Sequence, residues 1–575
     1  MKKKLLQIPV FILLFSICAS AQNIDSLARA IQSELNIQVK KGKAMGLSYA
    51  IVHADSVLMS GGAGFASFAE QRKADARTVY RVGSVSKLFT ALAIMQLHEA
   101  GKLNIDASLA SQLPGFGIRS ETDAANKITP RMLLTHHSGL PSDLYCNMFS
   151  ADTTLPQSLL PELNKTYMAF EPNQLYAYSN VGYGLLGLLV EAASGLSFED
   201  YMQQNIFGPM GMINSSFEEP ANIKNLIAKG YKGKKEYNEG FIRDIGAGMM
   251  VSSAEDMTHF MLMILNEGSY NGQSIIKTET FREMIHLQNA GNPYDNGKEL
   301  GLCFHMNTEA VFKNAGLTYG HGGDTEVFHA SVLFVPKYNM AAVVLTNSDK
   351  GAALRSKYDD LLLTKAIETL YNTKMKKDEE KWMAPCDKPS IPLENFAGFY
   401  ATPLGLMEFS YSDNTLKTSI QGMKLRLFEN KAGSLSARIS LLGIPLPKMP
   451  DTFSIKIVGR DTLIYQGSNI LGMKYTASPI LQEWKNAVGK YELLNKGKNV
   501  FVPENLNIGM QNDMLIANFS MFGSKMSRIL DCKDATRAVA IGRGRSMNDS
   551  FHIIQEDGKT YLWFSGYKYK QKEKN

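Results

Sequence analysis

The 575-residue sequence has few cysteines and only a small excess of positive charge. Its five cysteines form no CxxC pair, so neither a disulfide-rich scaffold nor a cysteine zinc site is indicated. We expect most of the four cysteines after Cys18 to be buried free thiols. The formal charge of +6 is too weak to predict nucleic-acid binding. The length instead predicts roughly two to four domains with their own cores.

Long uncharged apolar segments are also lacking, except at the N-terminus. There, three lysines precede an apolar run over residues 5–17 and a small-residue cleavage site that ends at Ala21. We therefore predict that residues 1–21 are a signal peptide and that the mature protein is periplasmic or secreted. The bulky residue before Cys18 argues against a lipid anchor. The apolar stretch 181–196 carries a glutamate, which indicates a buried helix, so no transmembrane segment is expected after cleavage.

Strand and helix signals continue along the chain up to about residue 376. A wide apolar arc predicts a buried helix that begins near Ser84 and ends at Gly101. A second buried helix follows Asn180 and ends near Gly195. Strands at both ends with helices between them predict an α/β sandwich over residues 22–376. Its other predicted elements are a helix at 24–41, strands at 46–52 and 57–60, a hairpin of 330–335 and 340–346, and a helix at 352–371.

The sequence changes character after this region. Residues 377–392 are charged, contain prolines and show no periodicity, which indicates a linker. Short strand-like runs follow, and two patterns recur at offsets of 91 and 98 residues. These patterns are Gly398-Phe399-Tyr400 with Gly489-Lys490-Tyr491, and Asp451-Thr452-Phe453 with Asp549-Ser550-Phe551. They predict two similar β units, 393–480 and 481–575, although chance similarity within one all-β region is the alternative.

Ser84 and Lys87, three residues apart, form the first candidate catalytic pair. On a helix they project from one face, and the helix N-terminus favours negative charge that develops on the serine oxygen. A lysine among apolar or positive groups can lose its proton and act as a base. The same spacing at Ser274–Lys277 and at Ser565–Lys568 is explained by a capping serine and a solvated lysine. Ser84 differs because a glycine precedes it and a buried helix follows it.

Two further motifs lie at the starts of predicted elements. Tyr178 can relay a proton, and Asn180 can hold a substrate carbonyl or orient a lysine, although for this motif alone a core tyrosine and an N-cap asparagine are the simpler explanation. His321, Gly322 and Gly323 enter a strand, where two glycines allow a backbone to approach a ligand closely. A glycine-rich turn with an incidental histidine is the simpler alternative there.

Taken in this order, the SxxK, YxN and HxG motifs resemble the serine β-lactamase-related superfamily of class C β-lactamases, DD-peptidases, D-aminopeptidases and related esterases. The resemblance covers about residues 25–375 and is supported by Ile128–Pro141 and Gly246–Ser253. It implies an α/β (α+β) β-lactamase/transpeptidase-like sandwich, with an antiparallel sheet and an all-helical subdomain. D-aminopeptidases of this superfamily carry two small β-barrels after the catalytic domain, so the C-terminal all-β region is expected to form one or two small barrels.

The resemblance also implies a role for each motif residue. Ser84 would form the acyl-enzyme, Lys87 and Tyr178 would share the proton transfers, and which of the two is the base stays open. Asn180 would contact the acyl side chain. The remaining substrate-binding residues would be His321 beside the substrate's anionic or terminal group, Gly322, Gly323, and Asp324, whose backbone N–H would complete an oxyanion hole with that of Ser84. His136 and His137 would be structural rather than metal ligands.

One departure from the superfamily pattern guides the functional prediction. Many β-lactamases carry lysine where this chain has His321, and histidine is mostly neutral at pH 7. We therefore predict an exported serine hydrolase that acts on a small peptide, a D-amino-acid amide or an ester, with peptidoglycan-derived peptides among the candidates. The alternatives are a β-lactamase and a catalytically weak cell-wall or penicillin-binding sensor. No cofactor, metal or nucleic acid is expected, and a homodimer is one arrangement that the β units could support.

Overall fold

The computed structural model describes most of the chain. The described residues are 8–150, 156–375, 385–386, 390–420, 423–431, 433–441, 444–445, 453–521 and 523–573. The predicted linker 377–392 therefore lies mostly outside the described residues. So do residues 1–7 of the predicted signal peptide and the first two residues of the Asp451-Thr452-Phe453 pattern. The domain boundaries and the cleavage site stay predictions.

An antiparallel sheet forms the centre of the first domain. Its eight described strands are ordered Glu299–Leu300, His305–Met306, Tyr319–Asp324, His329–Val335, Met340–Thr346, Gly46–His53, Ser56–Ser67 and Arg72–Lys73. The predicted hairpin is present, and Asn339 adopts a left-handed conformation in its turn (φ 48°). The first predicted strand pair is also present, with a second strand longer than expected.

Helices cover both faces of this sheet because its strands are apolar on both sides. The helix Ile8–Lys40, from Leu27 onward, and the helix Ala352–Tyr371 pack on one face, where Glu34 accepts a hydrogen bond from the Tyr358 hydroxyl at 2.7 Å. Ser86–Glu99 and Ala254–Leu265 share a core with the other face. The predicted helix at 24–41 is part of a longer helix, which already includes residue 8 and continues through Ala21.

The remaining helices and short strand pairs of the first domain form the predicted helical subdomain. In the sequence they lie between the strands Arg72–Lys73 and Glu299–Leu300. The helix Asn180–Ser194 ends at Gly195, which is left-handed (φ 75°) as its position predicts. The other described α-helices of this domain are Pro130–Leu134, Leu159–Leu163, Phe198–Met202, Gly208–Met210, Ile245–Gly248 and Thr278–Met284. The π-helical segment Gln203–Phe207 joins two of them into the continuous helix Phe198–Met210. The short strand pairs are Val79–Arg81 with Val251–Ser253, Phe149–Ser150 with Phe241–Ile242, Gly230–Lys232 with Lys235–Tyr237, and Ser269–Tyr270 with Gln273–Ser274.

The C-terminal region forms two closed antiparallel β-barrels. The first barrel contains Gly398–Thr402, Gly405–Ser412, Thr415–Ile420, Met423–Glu429, Leu435–Leu441, Phe453–Val458, Asp461–Gln466 and Asn469–Lys474, with Ile444–Pro445 added at one edge. The second barrel contains Gly489–Leu493, Glu504–Gln511, Met514–Met521, Ser524–Cys532, Arg537–Ala540, Ser550–Glu556, Lys559–Phe564 and Tyr567–Gln571. The predicted all-β region of one or two small barrels is confirmed as two.

The repeated sequence patterns lie at equivalent places in the two barrels. Gly398 and Gly489 each begin the first strand after a short helical turn. The hydroxyls of Tyr400 and Tyr491 each donate to the carbonyl four residues earlier, at 2.8 and 2.7 Å. The described phenylalanine of the second pattern lies in the sixth full strand of each barrel. The repeated patterns therefore occupy corresponding positions in the two barrels, while the bounds of the two β units stay predictions.

The four described cysteines form no disulfide bond with one another. Cys146 and Cys303 are buried and Cys386 and Cys532 are partly buried, and all four are free thiols.

Within the described ranges, no single helix has the length and apolar composition of a membrane span. One pair, Asn180–Ser194 with Phe198–Met210, meets that criterion only when its two helices are combined, and they are bent by 76°.

Candidate active site

Ser84 lies in a 3₁₀ turn, Gly83–Val85, that leads directly into the buried helix Ser86–Glu99. This turn places Ser84 and Lys87 on the same side, so the lysine Nζ lies 3.0 Å from the serine Oγ. The amine also donates to Asn180 Oδ1 at 2.8 Å and to the Ala247 carbonyl at 2.6 Å. The serine and lysine that the sequence predicts as a catalytic pair are therefore in contact.

The Lys87 side chain is fully buried, which makes its charged form costly. Burial lowers the pKa of the amine to about 7. The neighbouring Cys303 and Asp143 favour the charged form, whereas Arg545 opposes it. A lysine with this pKa is present in both protonation states near neutral pH, so it can accept a proton and return it.

Tyr178 lies beside this pair, two residues before the start of the helix Asn180–Ser194. Burial raises the pKa of its phenol, and a hydrogen bond with Ser84 opposes that rise. Its ring centre lies 4.2 Å from that of His136, with the two ring planes tilted by 33°, and the Lys87 Nζ lies 4.9 Å from the Tyr178 ring centre. The serine hydroxyl, the amine and the phenol thus meet at one point.

Asn180 is fixed by a carboxylate that sequence reasoning missed. Its Nδ2 donates to Asp143 Oδ1 at 2.6 Å, so its Oδ1 faces Lys87. Asp143 is itself 5% exposed. It follows directly on the Ile128–Pro141 stretch, but a single aspartate in a loop carries no sequence signal of its own.

The strand Tyr319–Asp324 brings His321 and the two glycines beside Ser84. Its outer neighbour pairs only with Tyr319 and Gly320, so the outer edge from His321 onward faces the cleft. A Cβ atom on Gly323 would collide with the Val82 carbonyl and lie 2.9 Å from Ser84 N. Glycine is therefore required for the strand to approach the serine this closely.

The backbone nitrogens of Ser84 and Asp324 lie on facing segments, as an oxyanion hole requires. A Cβ on Gly83 would lie 2.8 Å from Asp324 N, and Gly83 itself is left-handed (φ 51°). The Asp324 side chain is held by Arg355 at 2.6 Å and by His329 at 2.7 Å. Burial alone would raise the pKa of this carboxyl, but these two partners hold it well below its usual range. A Cβ on Gly322 would meet the guanidinium of Arg355, so this glycine makes room for the anchor of Asp324.

His321 is neutral in this environment. Burial lowers its pKa well below the usual range, and His305 and Lys87 add to that effect. Its Nδ1 lies 2.6 Å from the Gly322 carbonyl, and its ring lies 5.0 Å from that of His305. The strand therefore places no positive charge at the position where many β-lactamases carry lysine.

The two histidines of the Ile128–Pro141 stretch, His136 and His137, make structural contacts. His136 Nδ1 accepts from the Ser179 N–H at 3.0 Å, and His137 Nε2 lies 2.9 Å from Asp295 Oδ2. The described residues contain no group of three or more candidate metal ligands. The other two SxxK serines are also placed structurally: Ser274 Oγ donates to the Ile276 carbonyl and Ser565 Oγ accepts from Tyr145 N.

Ser84 opens into a cleft of about 1150 Å³ that both barrels help to line. The first barrel contributes Leu404 and Asn469, and the second contributes Arg528 and Arg545. Sequence reasoning missed all of these barrel residues, because nothing in the sequence indicates which barrel loop reaches the cleft.

Solved structures show the same fold. The octameric penicillin-binding protein homologue from Pyrococcus abyssi matches 94% of this chain and 99% of its own, with 18% identity and a TM-score of 0.52. SurE matches 79% of this chain and 99% of its own, with 20% identity and a TM-score of 0.59.

Curated relatives match the first domain. Protein flp from Staphylococcus aureus (strain MRSA252) is 28% identical over 345 residues, which is 57% of this chain and 63% of that protein. Penicillin-binding protein 4 from Amycolatopsis lactamdurans is 24% identical over 331 residues, 56% of this chain and 84% of that protein. The matched region thus spans less than two thirds of Protein flp. The sequence model of the family described as Beta-lactamase matches residues 27–365, which is more than half of the chain. The chain therefore belongs to the Beta-lactamase family.

Proposed function

We propose that this protein is a serine hydrolase that forms an acyl-enzyme on Ser84 and acts on a small peptide, a D-amino-acid amide or an ester. The observation that carries the proposal is the 3.0 Å contact between the buried Lys87 amine and the Ser84 hydroxyl. A pKa of about 7 lets this amine take the hydroxyl proton as the oxygen attacks.

The proposed reaction has two matched halves. Ser84 Oγ bonds to the substrate carbonyl carbon while its proton passes to Lys87, and the Ser84 and Asp324 N–H groups face the carbonyl oxygen. The bond to the leaving group then breaks, and a proton delivered through Tyr178 completes that group. Water attacks the acyl-enzyme in the second half, gives its proton to the same relay and releases Ser84. The raised pKa of Tyr178 suits a group that stays protonated and passes protons on.

The neutral His321 supports a peptidase or esterase over a β-lactamase. A penicillin carboxylate that approached the strand Tyr319–Asp324 would meet no charge on this histidine. The cleft of about 1150 Å³ is also larger than a single bicyclic lactam needs, and it suits a peptide chain. Parallel assays separate the β-lactamase, esterase and peptidase classes. The substrates are a chromogenic cephalosporin, short-chain p-nitrophenyl esters, D-alanyl anilides and a D-Ala-D-Ala peptide.

The first test is covalent labelling of Ser84. Wild-type protein should react with a fluorophosphonate or a labelled penicillin, and Ser84→Ala should abolish both labelling and turnover. Ser274→Ala is the matched control, since Ser274 is also followed by a lysine three residues later but lies in an exposed hairpin. Absence of label on wild-type protein would favour the sensor alternative.

We also propose export and self-association, each from a separate argument. The N-terminal sequence supports export with cleavage after Ala21, which N-terminal sequencing of the mature protein tests. Self-association is supported by the penicillin-binding protein homologue from Pyrococcus abyssi, which is octameric. For this chain a homodimer is proposed, and the mass in solution by light scattering decides between dimer and monomer.

A further inference from the structure

A loop of the second barrel enters the cleft beside Ser84. Residues 541–549 connect the strands Arg537–Ala540 and Ser550–Glu556. Gly544 in this loop is left-handed (φ 98°), which directs the following residues toward the first domain. Arg545, at its tip, lies with its guanidinium carbon 4.9 Å from the centre of the Tyr178 ring.

Two hydrogen bonds and a buried methionine anchor the loop on the first domain. The Ser546 N–H donates to Ser142 Oγ at 2.8 Å, and Asn548 Nδ2 donates to the Ala169 carbonyl at 2.8 Å. Met547 is 2% exposed and packs among Ala169, Phe170, Leu175 and Ala177. The backbone next to Arg545 is therefore anchored on the first domain, which lowers the entropy cost of binding a ligand there.

Arg545 keeps donors available for a ligand. Its ion pair is with Asp143, through Nη2 at 3.3 Å, and the other oxygen of that carboxylate accepts from Asn180. A guanidinium carries five N–H donors, so one such contact leaves an edge of the group unused. The Arg545 side chain is 54% exposed, although it lies inside the cleft.

The other cations of the cleft wall are engaged elsewhere. Arg355 pairs with Asp324 at 2.6 Å, Arg543 with Asp461 at 2.8 Å and Lys232 with Glu326 at 2.9 Å. Arg528 donates to two backbone carbonyls, and Lys298 donates to Asn469 at 3.3 Å. Among the described cations of the wall, Arg545 is thus the one that combines exposure with contact to Tyr178.

We propose that Arg545 of the second barrel is a specificity-determining residue that binds a substrate carboxylate close to the scissile carbonyl. Ser84, Tyr178 and Arg545 line the same cleft, and the Arg545 guanidinium carbon lies 4.9 Å from the centre of the Tyr178 ring, so an anion on Arg545 lies next to the reacting groups. A peptide presents a carboxylate there when its C-terminal residue is the leaving group. The inference rests on the proposed hydrolase function and narrows it to substrates with a free C-terminus.

The test compares a peptide with its own amide. Acetyl-L-Lys-D-Ala-D-Ala and the same peptide with a C-terminal amide are assayed on wild-type, Arg545→Gln, Arg545→Lys and Arg543→Gln proteins. In wild type, kcat/KM should favour the carboxylate by about 10- to 100-fold, as expected for charge-assisted hydrogen bonds. Arg545→Gln should bring the ratio close to one, and Arg545→Lys should keep part of it. Arg543→Gln should keep the wild-type ratio, because Arg543 already pairs with Asp461.

The possible outcomes separate the two proposals. A wild-type ratio near one, or the same ratio in Arg545→Gln, overturns the role of Arg545 while Ser84 labelling and p-nitrophenyl ester turnover leave the hydrolase intact. Loss of labelling and of all turnover in wild type overturns the hydrolase itself. If Arg545→Gln does not fold, inhibition of wild-type esterase activity by acetyl-D-Ala and by its amide gives a second measurement, and equal inhibition constants contradict the proposal.

Discussion

The Lys87 amine is held by opposing influences. Three acceptors surround its Nζ within 3.0 Å, which favours the ammonium form, while complete burial favours the neutral amine. Burial prevails, and the pKa falls to about 7. The residue can therefore change its protonation state during each half of the reaction at little cost near neutral pH.

We predict that kcat/KM depends on pH through this amine. The active form needs a neutral lysine, so activity should be present above pH 7 and fall tenfold per pH unit well below it. A pH profile with the neutral p-nitrophenyl ester measures this limb without titrating the substrate. A rate that stays constant down to pH 5 would show that Lys87 works as an ammonium and that another group accepts the proton.

The spacing of the motif residues predicts part of the site. The rest could not be predicted, because it depends on contacts between residues that are far apart in the sequence. Ser84 and Lys87 are close in sequence, so helix geometry alone places them together. Asp143 and Arg545 form one ion pair although 402 residues separate them. No local pattern marks such a pair, because its formation depends on how the second barrel docks. The catalytic roles of the predicted residues stay predictions, although those residues converge on one cleft.

At the scale of elements, the strand Tyr319–Asp324 and the turn Gly83–Val85 are packed against each other through glycines. We predict that Gly323→Ala lowers kcat/KM by about 100-fold or more, because its methyl group would push the strand away from Ser84 N and disturb the oxyanion hole. Steady-state kinetics with the p-nitrophenyl ester measures the loss.

Gly187→Ala is the control for this substitution. A methyl group there would have its nearest neighbour at 3.6 Å, an ordinary contact, and Gly187 lies inside the helix Asn180–Ser194, where alanine is favoured. If Gly323→Ala kept the activity of Gly187→Ala, the close approach of strand and turn would not matter for catalysis.

Element boundaries were predictable where a strong local signal exists. Gly101 and Gly195 end their helices in the left-handed conformation, and both ends were predicted within a residue or two. The helix Ile8–Lys40 begins earlier than expected, because the apolar N-terminal run has no helix-breaking signal strong enough to separate it from 24–41. The order of the strands in the central sheet was not predictable, because pairing between distant strands leaves no local pattern.

The whole molecule is joined by cores that cross its domain boundaries. Tyr145, Cys146 and Met148 of the first domain belong to the core of the second barrel. The Cys146 N–H donates to the Ser565 carbonyl at 3.1 Å, and Arg243, fully buried, donates to the Cys146 carbonyl at 2.7 Å. The second barrel is thus built onto the segment that also carries Asp143, so its docking and the geometry of the active site are coupled.

Gly566 tests this coupling because it lies at the junction. It is left-handed (φ 83°), and a Cβ there would lie 2.5 Å from the Cys146 Cβ, whereas Gly558 is left-handed (φ 69°) with nothing within 4 Å. Gly558→Ala should cost about 1 kcal/mol of unfolding free energy from backbone strain alone. Gly566→Ala should cost about 1–3 kcal/mol more through overpacking, and it should also lower the carboxylate-to-amide ratio as Arg545 moves away from Tyr178. Urea unfolding and the peptide assay measure both effects. Equal stability and equal ratios in the two variants would mean that the barrel adjusts its position without disturbing the site.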